Sequence, residues 1–150
     1  MSAGEVGQEE IFVCHEADLV GSDRKRVTVC GRDVFIVKVR GQFYAMDSFC
    51  YHAGGPLHSG QIEDIGQWTC VRCPWHNYMI CVASGEGIYK SIDPFNMNKP
   101  PEMKSKGVKQ RTHTVIRRDG KLFVRLTSID NTVESDHYNC PEYREKYSLR

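Results

Sequence analysis

Two short motifs, each with one cysteine and one histidine, constrain this chain more than any other feature. In the first, one residue separates Cys50 from His52, and in the second, two residues separate Cys73 from His76. Two thiolates and two imidazoles can hold a single tetrahedral zinc ion. They can also hold a two-iron, two-sulfide cluster with both cysteines on one iron and both histidines on the other. In either case the fold must bring together two loops that lie 20 residues apart.

Short runs of β-branched and aromatic residues, separated by glycine-containing turns, make up most of the chain. Such runs, with almost no helical period between them, favour strands and hairpins over helices. One helical turn is predicted at 16–20, and a long polar loop with three prolines at 89–108. The predicted strands are 11–14, 26–29, 33–39, 43–46, 68–72, 79–83, 114–117 and 121–126. The pattern therefore predicts an all-β domain.

Length, charge and hydropathy narrow the class of protein. A chain of 150 residues, 40% hydrophobic and 26% charged, fits one globular domain spanning 1–150. The net charge of +1, without a long basic run, argues against nucleic-acid binding. No stretch approaches the roughly 18 apolar residues of a membrane span, and the acidic, polar start does not resemble a signal peptide. We expect a cytoplasmic protein whose seven cysteines serve metals, catalysis or packing.

Both motifs belong to longer stretches. The first box reads Cys-Tyr-His-Ala-Gly-Gly-Pro-Leu over 50–57, the second reads Cys-Pro-Trp-His over 73–76, and a hairpin at 119–124 follows. Together these stretches resemble the Rieske family, and most of all the small soluble Rieske-type ferredoxins. The resemblance spans about 17–126. It implies a Rieske fold, in which an antiparallel β sandwich or barrel base carries an inserted cluster-binding subdomain at about 47–88. Residues 1–10 and about 128–150 are expected to be tails.

The resemblance also implies a cofactor and an activity. The chain would bind one [2Fe-2S] cluster, with Cys50 and Cys73 on the inner iron and His52 and His76 on the outer iron, which accepts the electron. The implied function is that of a monomeric one-electron carrier between a flavin reductase and an oxygenase or other acceptor. Such a protein performs no substrate chemistry of its own.

Residues beside the ligands are expected to shield the cluster. Gly54 and Gly55 would let the backbone approach it, so that N–H groups can point at sulfur. Leu57 and Trp75 are large apolar groups that would screen it from water. Two boxes rich in glycine and apolar residues therefore predict a dry pocket on the cysteine side.

The resemblance further implies a potential near the low end of the Rieske range. High-potential respiratory Rieske proteins have an inter-loop disulfide where this chain has Gly55 and Trp75. They also have a serine and a tyrosine, both hydrogen-bond donors, where this chain has Tyr78 and Ile80. Fewer donors leave the reduced, more negative cluster less stabilised.

Two segments outside the boxes also carry expectations, the stretch after residue 88 and the C-terminal tail. Residues 89–99 look like an insertion relative to the family. After it, Pro100 and Pro101 are the expected equivalent of the family's proline-containing loop, with Pro94 as the rival position. The C-terminal tail either frays or docks through its tyrosines, which are Tyr138, Tyr143 and Tyr147.

Three other functions stay open from the residues alone. A structural zinc site could combine the Cys70-x-x-Cys73 pair with Cys50 and His52, although a strand would point Cys70 and Cys73 to opposite faces. A cluster-based redox or iron sensor would use the same four ligands. An oxygenase would need a further iron held by two histidines and a carboxylate, and the remaining histidines are scattered singly.

The other cysteines and one neighbouring histidine have simpler interpretations. Cys14, Cys30 and Cys81 lie in apolar strand-like runs and are predicted to be small buried side chains. Cys140, in the polar tail, is predicted to be an exposed thiol. His58 is predicted to be a surface loop residue, because its spacing matches no ligand.

Overall fold

A computed structural model describes residues 9–127, 132–140 and 142–143 of the chain. Within these residues it forms eleven strands and three short 3-10 helices, Glu16–Leu19, Leu57–Ser59 and Glu134–Tyr138. None of the helices in this described part is long and apolar enough to cross a bilayer. The strands are β1 Glu10–His15, β2 Arg24–Val29, β3 Arg32–Val39, β4 Gln42–Asp47, β5 Gln61–Ile65, β6 Trp68–Arg72, β7 Met79–Cys81, β8 Glu86–Ser91, β9 Glu102–Val108, β10 Thr112–Arg118 and β11 Lys121–Arg125.

Two antiparallel sheets make up the fold. The base is a six-stranded sheet in the order β1-β11-β10-β4-β3-β2, and its edge strands β1 and β2 contact each other, so that it nearly closes into a barrel. The chain leaves the base after β4 and returns to it at β10. Between them it builds a five-stranded sheet in the order β5-β6-β7-β8-β9. The predicted all-β class, with an antiparallel base and an inserted unit, is confirmed.

The inserted sheet is larger than the sequence pattern suggests. The predicted loop at 89–108 is wrong for half of its length, because β8 runs to Ser91 and β9 begins at Glu102. Ser91 pairs with Glu102, so only 92–101 connects the two strands, and the inserted unit extends to Val108 rather than to about 88. Most side chains of β9 are exposed or half-exposed, so the strand carries little hydrophobic pattern. β5 goes unpredicted for the same reason.

Strand β3 supplies both of the main cores. Its successive side chains point to opposite faces of the sheet. Val34 and Ile36 pack inside the base with Leu122, whereas Phe35 and Val37 pack between the base and the inserted sheet. The second of these cores also contains Cys50, Leu57, Cys73 and Ile80. A third core, on the other face of the inserted sheet, contains Cys70, Met79, Cys81 and Ile88.

The predictions for the isolated cysteines and for His58 hold only in part. Cys14 and Cys81 are buried as expected. Cys30 is exposed, because it occupies the turn between β2 and β3 with φ of 49°, ahead of Gly31. Cys140 is half-buried. His58 is half-buried beside Phe49, and burial, followed by the charge of Arg26, lowers its pKa to about 4.

Asp47, the last residue of β4, anchors a buried polar network just before the first motif. Its carboxylate is 1% exposed and accepts hydrogen bonds from Arg32 at 2.7 and 2.8 Å. Thr127 N–H donates to Nδ1 of His113, which leaves Nε2 of that ring to donate to Asp47 at 3.0 Å. Burial opposes ionisation of Asp47, but the bonds from Arg32 and His113 outweigh it and hold the pKa of Asp47 below its ordinary value.

Candidate metal centre

The fold places the two motifs side by side in two loops. Loop 1, residues 50–57, follows β4, and loop 2, residues 73–78, connects β6 to β7. Cys50 and Cys73 are each 1% exposed, and their thiols are hydrogen-bonded to each other. His52 and His76 are both exposed, with ring centroids 5.2 Å apart. The four side chains thus form two pairs, with the sulfurs in the core and the imidazoles at the surface.

Loop 1 curls around the Cys50 sulfur. The Cys50 N–H donates to the Gly55 carbonyl, and the Gly54 N–H donates to the Cys50 carbonyl, both at 2.8 Å. The backbone N–H groups of His52 and Ala53 point back at the Cys50 side chain and hydrogen-bond to it. A thiolate at this position would therefore be met by two backbone donors, the arrangement that stabilises an anion in a turn.

Loop 2 curls in a similar way around the Cys73 sulfur. The Cys73 N–H donates to the Tyr78 carbonyl at 2.8 Å, and the Asn77 N–H donates to the Cys73 carbonyl at 3.1 Å. The Trp75 N–H donates to the Cys73 side chain. His76 and Asn77 both lie in the left-handed region, with φ of 67° and 60°. Two consecutive non-glycine residues in this region are uncommon, and such conformations cluster at functional sites.

The paired thiols differ in how readily they ionise. The Cys50 thiol hydrogen-bonds to the Cys73 sulfur, and this bond lowers the pKa of Cys73 despite its burial. The same bond, followed by burial, raises the pKa of Cys50. The first negative charge of the pair is therefore stabilised on Cys73, and a second charge beside it is opposed.

The donor set fits an iron–sulfur cluster of the kind that two thiolates and two imidazoles hold. The sulfurs are buried and receive backbone N–H donors, while the imidazoles stand together on the outer side. Among the described residues, no three or more Cys, His, Asp or Glu side chains surround one point that could hold a single metal ion. Cys70 lies in the third core with Met79 and Cys81, on the other face of the inserted sheet. It therefore faces away from Cys73, as the strand geometry predicts.

Gly55 and Trp75 lie against each other across the two loops. A Cβ atom on residue 55 would sit 2.7 Å from the Cys73 Sγ and 2.9 Å from the Trp75 Cγ. Position 55 therefore has no room for a side chain between the thiol and the indole. Leu57 is completely buried in the same core as both cysteines, whereas Trp75 is 38% exposed and covers the loops only in part.

Tyr78 acts on the histidine side of the site through its ring. It stacks on His52 with a centroid distance of 3.8 Å and an interplanar angle of 12°. The Lys106 ammonium lies 4.8 Å from the centroid of the Tyr78 ring. Burial, His76 and Lys106 together lower the pKa of His52. Ile80, two residues beyond Tyr78, is fully buried and offers no hydrogen-bond donor.

Gln110 ties loop 1 to the base and was not identified by the sequence reasoning. Its side chain is fully buried and makes three hydrogen bonds to the backbone that leads into the motif. The amide nitrogen donates to the carbonyls of Asp47 at 3.1 Å and Phe49 at 2.7 Å. The amide oxygen accepts from the Tyr51 N–H at 2.9 Å. A polar residue flanked by charged ones carries no sequence signal for such a role.

The prolines singled out by the resemblance to the family lie in the connection between β8 and β9. Pro100 and Pro101 are exposed just before β9, and Pro94 is exposed in the connection from β8. The part of β9 that reaches loop 2 is Lys106 instead. The tail tyrosines do dock, since the Tyr138 hydroxyl donates to the His52 carbonyl at 3.3 Å and the Tyr143 hydroxyl donates to the Gly54 carbonyl. Tyr147 lies outside the described residues.

A groove of about 490 Å³ opens beside His76. Its cations are Arg72, Lys90 and Lys106, and none of the described residues that line it is a carboxylate. Glu63 pairs with Arg72 from outside the groove. The apolar part of the lining comes from Ile65, Tyr78, Met79, Ile88, Tyr89 and Met103. The groove thus combines positive charge with apolar contact area next to an exposed imidazole.

Comparison with known proteins gives consistent matches. A family model described as soluble Rieske-type ferredoxin matches residues 11–129. The human Rieske domain-containing protein is 42% identical over 134 residues, covering 89% of this chain and 85% of that protein. The ferredoxin subunit of the 3-phenylpropionate/cinnamic acid dioxygenase of Photorhabdus laumondii is 23% identical over 79% of this chain and 95% of its own length.

The fold likewise matches solved structures. A chain in the complex of reduced oxygenase and oxidised ferredoxin of carbazole 1,9a-dioxygenase superposes with a TM-score of 0.59 and 22% identity. The match covers 83% of this chain and 99% of that chain. This likeness concerns the fold, and it agrees with the topology of a base sheet carrying an inserted sheet.

Replacing Gly55 tests the close contact between the loops. We expect Gly55→Ala to displace the Cys73 sulfur or the Trp75 ring, at a cost of about 1–3 kcal/mol of overpacking. Iron and acid-labile sulfide per chain after anaerobic reconstitution should fall well below wild type. Gly21→Ala is the matched control, because nothing lies within 4 Å of a Cβ there. Equal iron content in both variants would contradict a close contact of Gly55 with Cys73 and Trp75.

Proposed function

The chain belongs to the soluble Rieske-type ferredoxin family, whose members carry one [2Fe-2S] cluster and transfer electrons, and from this premise we propose that loops 1 and 2 hold that cluster. Cys50 and Cys73 would bind the inner iron, and His52 and His76 the outer iron. The observation that carries this assignment is the arrangement of two buried, N–H-bonded sulfurs beside two exposed imidazoles.

When bound, a [2Fe-2S] cluster supplies reversible uptake of one electron. The protein's part is to expose one side of the site and to seal the other. His76 and His52 bring their rings to the surface, where a partner can approach within a short distance. Leu57 and the core residues around both cysteines exclude water from the sulfur side. The exposed imidazole edge is the proposed port for the electron.

The residues around the site favour a potential near the low end of the Rieske range. Gly55 and Trp75 occupy the inter-loop contact, and neither position carries a cysteine that could form a disulfide between the loops. Ile80 provides no donor, and Tyr78 presents its ring face to His52. A reduced, more negative site therefore gains less stabilisation than in the respiratory type.

The proposed partners are a flavin reductase as donor and an oxygenase or other protein as acceptor. The relatives named as ferredoxin subunits of dioxygenase systems support this proposal. The groove beside His76 favours a partner surface that carries carboxylates around an apolar contact, because the charges of Lys90 and Lys106 would be complementary to them. We further expect a monomer. We place it in the cytoplasm, because cysteines that form no disulfide suit a reducing compartment.

Ligand substitution tests the cluster assignment and separates it from a zinc site. Cys73→Ser and His76→Ala should each lose iron and acid-labile sulfide, because each removes one of four ligands. Cys70→Ser is the matched control, because Cys70 packs in the third core, away from Cys73. This variant should leave the iron and sulfide content unchanged. Zinc without sulfide in the wild type, or loss of metal in Cys70→Ser, would contradict the assignment.

A redox titration followed by EPR tests the carrier role and the potential. We expect one electron per chain, with a midpoint near the low end of roughly −150 to +300 mV. Ile80→Val is the control, because it keeps the position apolar and should leave the midpoint potential unchanged.

The reduced protein should also pass its electron to an excess of cytochrome c over repeated cycles. A clearly positive midpoint would contradict the potential argument, and failure to pass the electron onward would favour a sensor.

A further inference from the structure

The C-terminal segment contacts the backbone of loop 1 from outside the region that the family model covers. We refer to residues 132–140 and 142–143 as the strap. The family match ends at residue 129, before the strap begins. The strap contains the 3-10 helix Glu134–Tyr138 and lies against both the base and loop 1.

The strap is fixed to the base by buried polar contacts. The Asp136 carboxylate accepts hydrogen bonds from Arg111 at 2.7 and 2.8 Å and also pairs with Arg32. Ser135 is 1% exposed, and its hydroxyl donates to Asp47 at 2.8 Å. The backbone N–H of Arg111 donates to the same Ser135 hydroxyl at 2.9 Å. Because Asp47 precedes loop 1, the strap is anchored at the root of the site.

The other end of the strap reaches the carbonyls of loop 1. Tyr138 donates to the carbonyl of His52, a proposed ligand, and Tyr143 donates to the carbonyl of Gly54. The Tyr143 ring packs edge-on against Phe49 with a centroid distance of 5.0 Å. The rings of Tyr138 and Tyr143 pack edge-on against each other, with their centroids 5.2 Å apart. Two hydroxyls thus bind carbonyls that lie two residues apart in one loop.

Gly54 is matched to the strap. Its φ of 74° lies in the left-handed region, where a side chain is strained. A Cβ on residue 54 would also lie 2.6 Å from the Tyr138 Cδ1 and would overlap the Tyr143 hydroxyl. The tyrosines therefore occupy the space that a side chain at position 54 would fill.

We propose that the strap is a positioning element for the metal centre, in which Tyr138 and Tyr143 hold loop 1 closed and slow the loss of the cluster. This inference rests on the proposed function, because it takes loop 1 as one of the two cluster-binding loops. Opening of loop 1 would expose the Cys50 sulfur and separate His52 from His76. Hydrogen bonds to both carbonyls make that opening rarer.

The test compares the double variant Tyr138→Phe/Tyr143→Phe with wild type. Both rings stay in place, and only the hydroxyls are lost. With excess chelator under anaerobic conditions, the visible absorbance of the reconstituted protein should decay about tenfold faster in the variant, as expected for the loss of two modest hydrogen bonds. Tyr44→Phe, a hydroxyl deletion in β4, is the control and should decay at the wild-type rate.

Amide hydrogen exchange of the cluster-free protein gives a second, independent readout. In the variant, the amides of 50–55 should exchange faster, while those of β3 at 34–37 should not change. The proposal is overturned if the decay rate equals that of wild type, or if β3 and loop 1 accelerate together, which would indicate a general loss of stability. If wild type forms no cluster, the proposed function fails, and the exchange measurement still decides whether the strap restrains loop 1.

Discussion

Burial of two neighbouring thiols beside two exposed imidazoles is the constraint on which the rest of this structure depends. Cys50 and Cys73 come from loops at the ends of different strands, yet their sulfurs must meet inside one core. The inserted sheet brings this about by placing the β6–β7 connection against the segment that follows β4. Each loop then folds back so that the histidine, two or three residues later, faces outward.

Such loops need their polar backbone satisfied, because an unpaired buried N–H or C=O is costly. Gln110 meets this need for the entry to loop 1 through three hydrogen bonds. The Asp47 network and the strap extend the same support to the root and the outer side of the loop. Loop 2 relies instead on its own turn and on the stacking of Tyr78 against His52. The two halves of the site are therefore held by different means.

Sequence reasoning could identify the parts of this protein whose chemistry or periodicity is local. The two Cys–His pairs stand out because their residue types suit metal binding, and the hairpins of β2–β3 and β10–β11 show through runs of β-branched residues. β9 and β5 could not be predicted, because strands exposed to solvent have no hydrophobic period. Cys30 was assigned to the interior from its apolar neighbours, whereas the turn before Gly31 places it in solvent.

The contacts of Gln110 and of the strap lie beyond sequence reasoning for a different reason. Gln110 and Tyr51 are 59 residues apart, and Tyr143 and Gly54 are 89 apart. Each pairing exists only because the sheets bring the segments together. The sequence leaves the docking of the tail tyrosines open, and nothing local shows that loop 1 receives them. Likewise, Pro100 and Pro101 correspond to the family's proline-containing loop by residue type alone. Their position in the fold is set by the pairing of β8 with β9.

In the proposed site, His52 and His76 bind the outer metal of a cluster whose inner metal is bound by the two cysteines. Pulsed EPR of the dithionite-reduced protein, prepared with ¹⁵N-labelled histidine, is the decisive measurement of this ligation. We expect hyperfine coupling to two histidine nitrogens. A reduced signal without histidine coupling, or a colourless protein without acid-labile sulfide after anaerobic reconstitution, would contradict it.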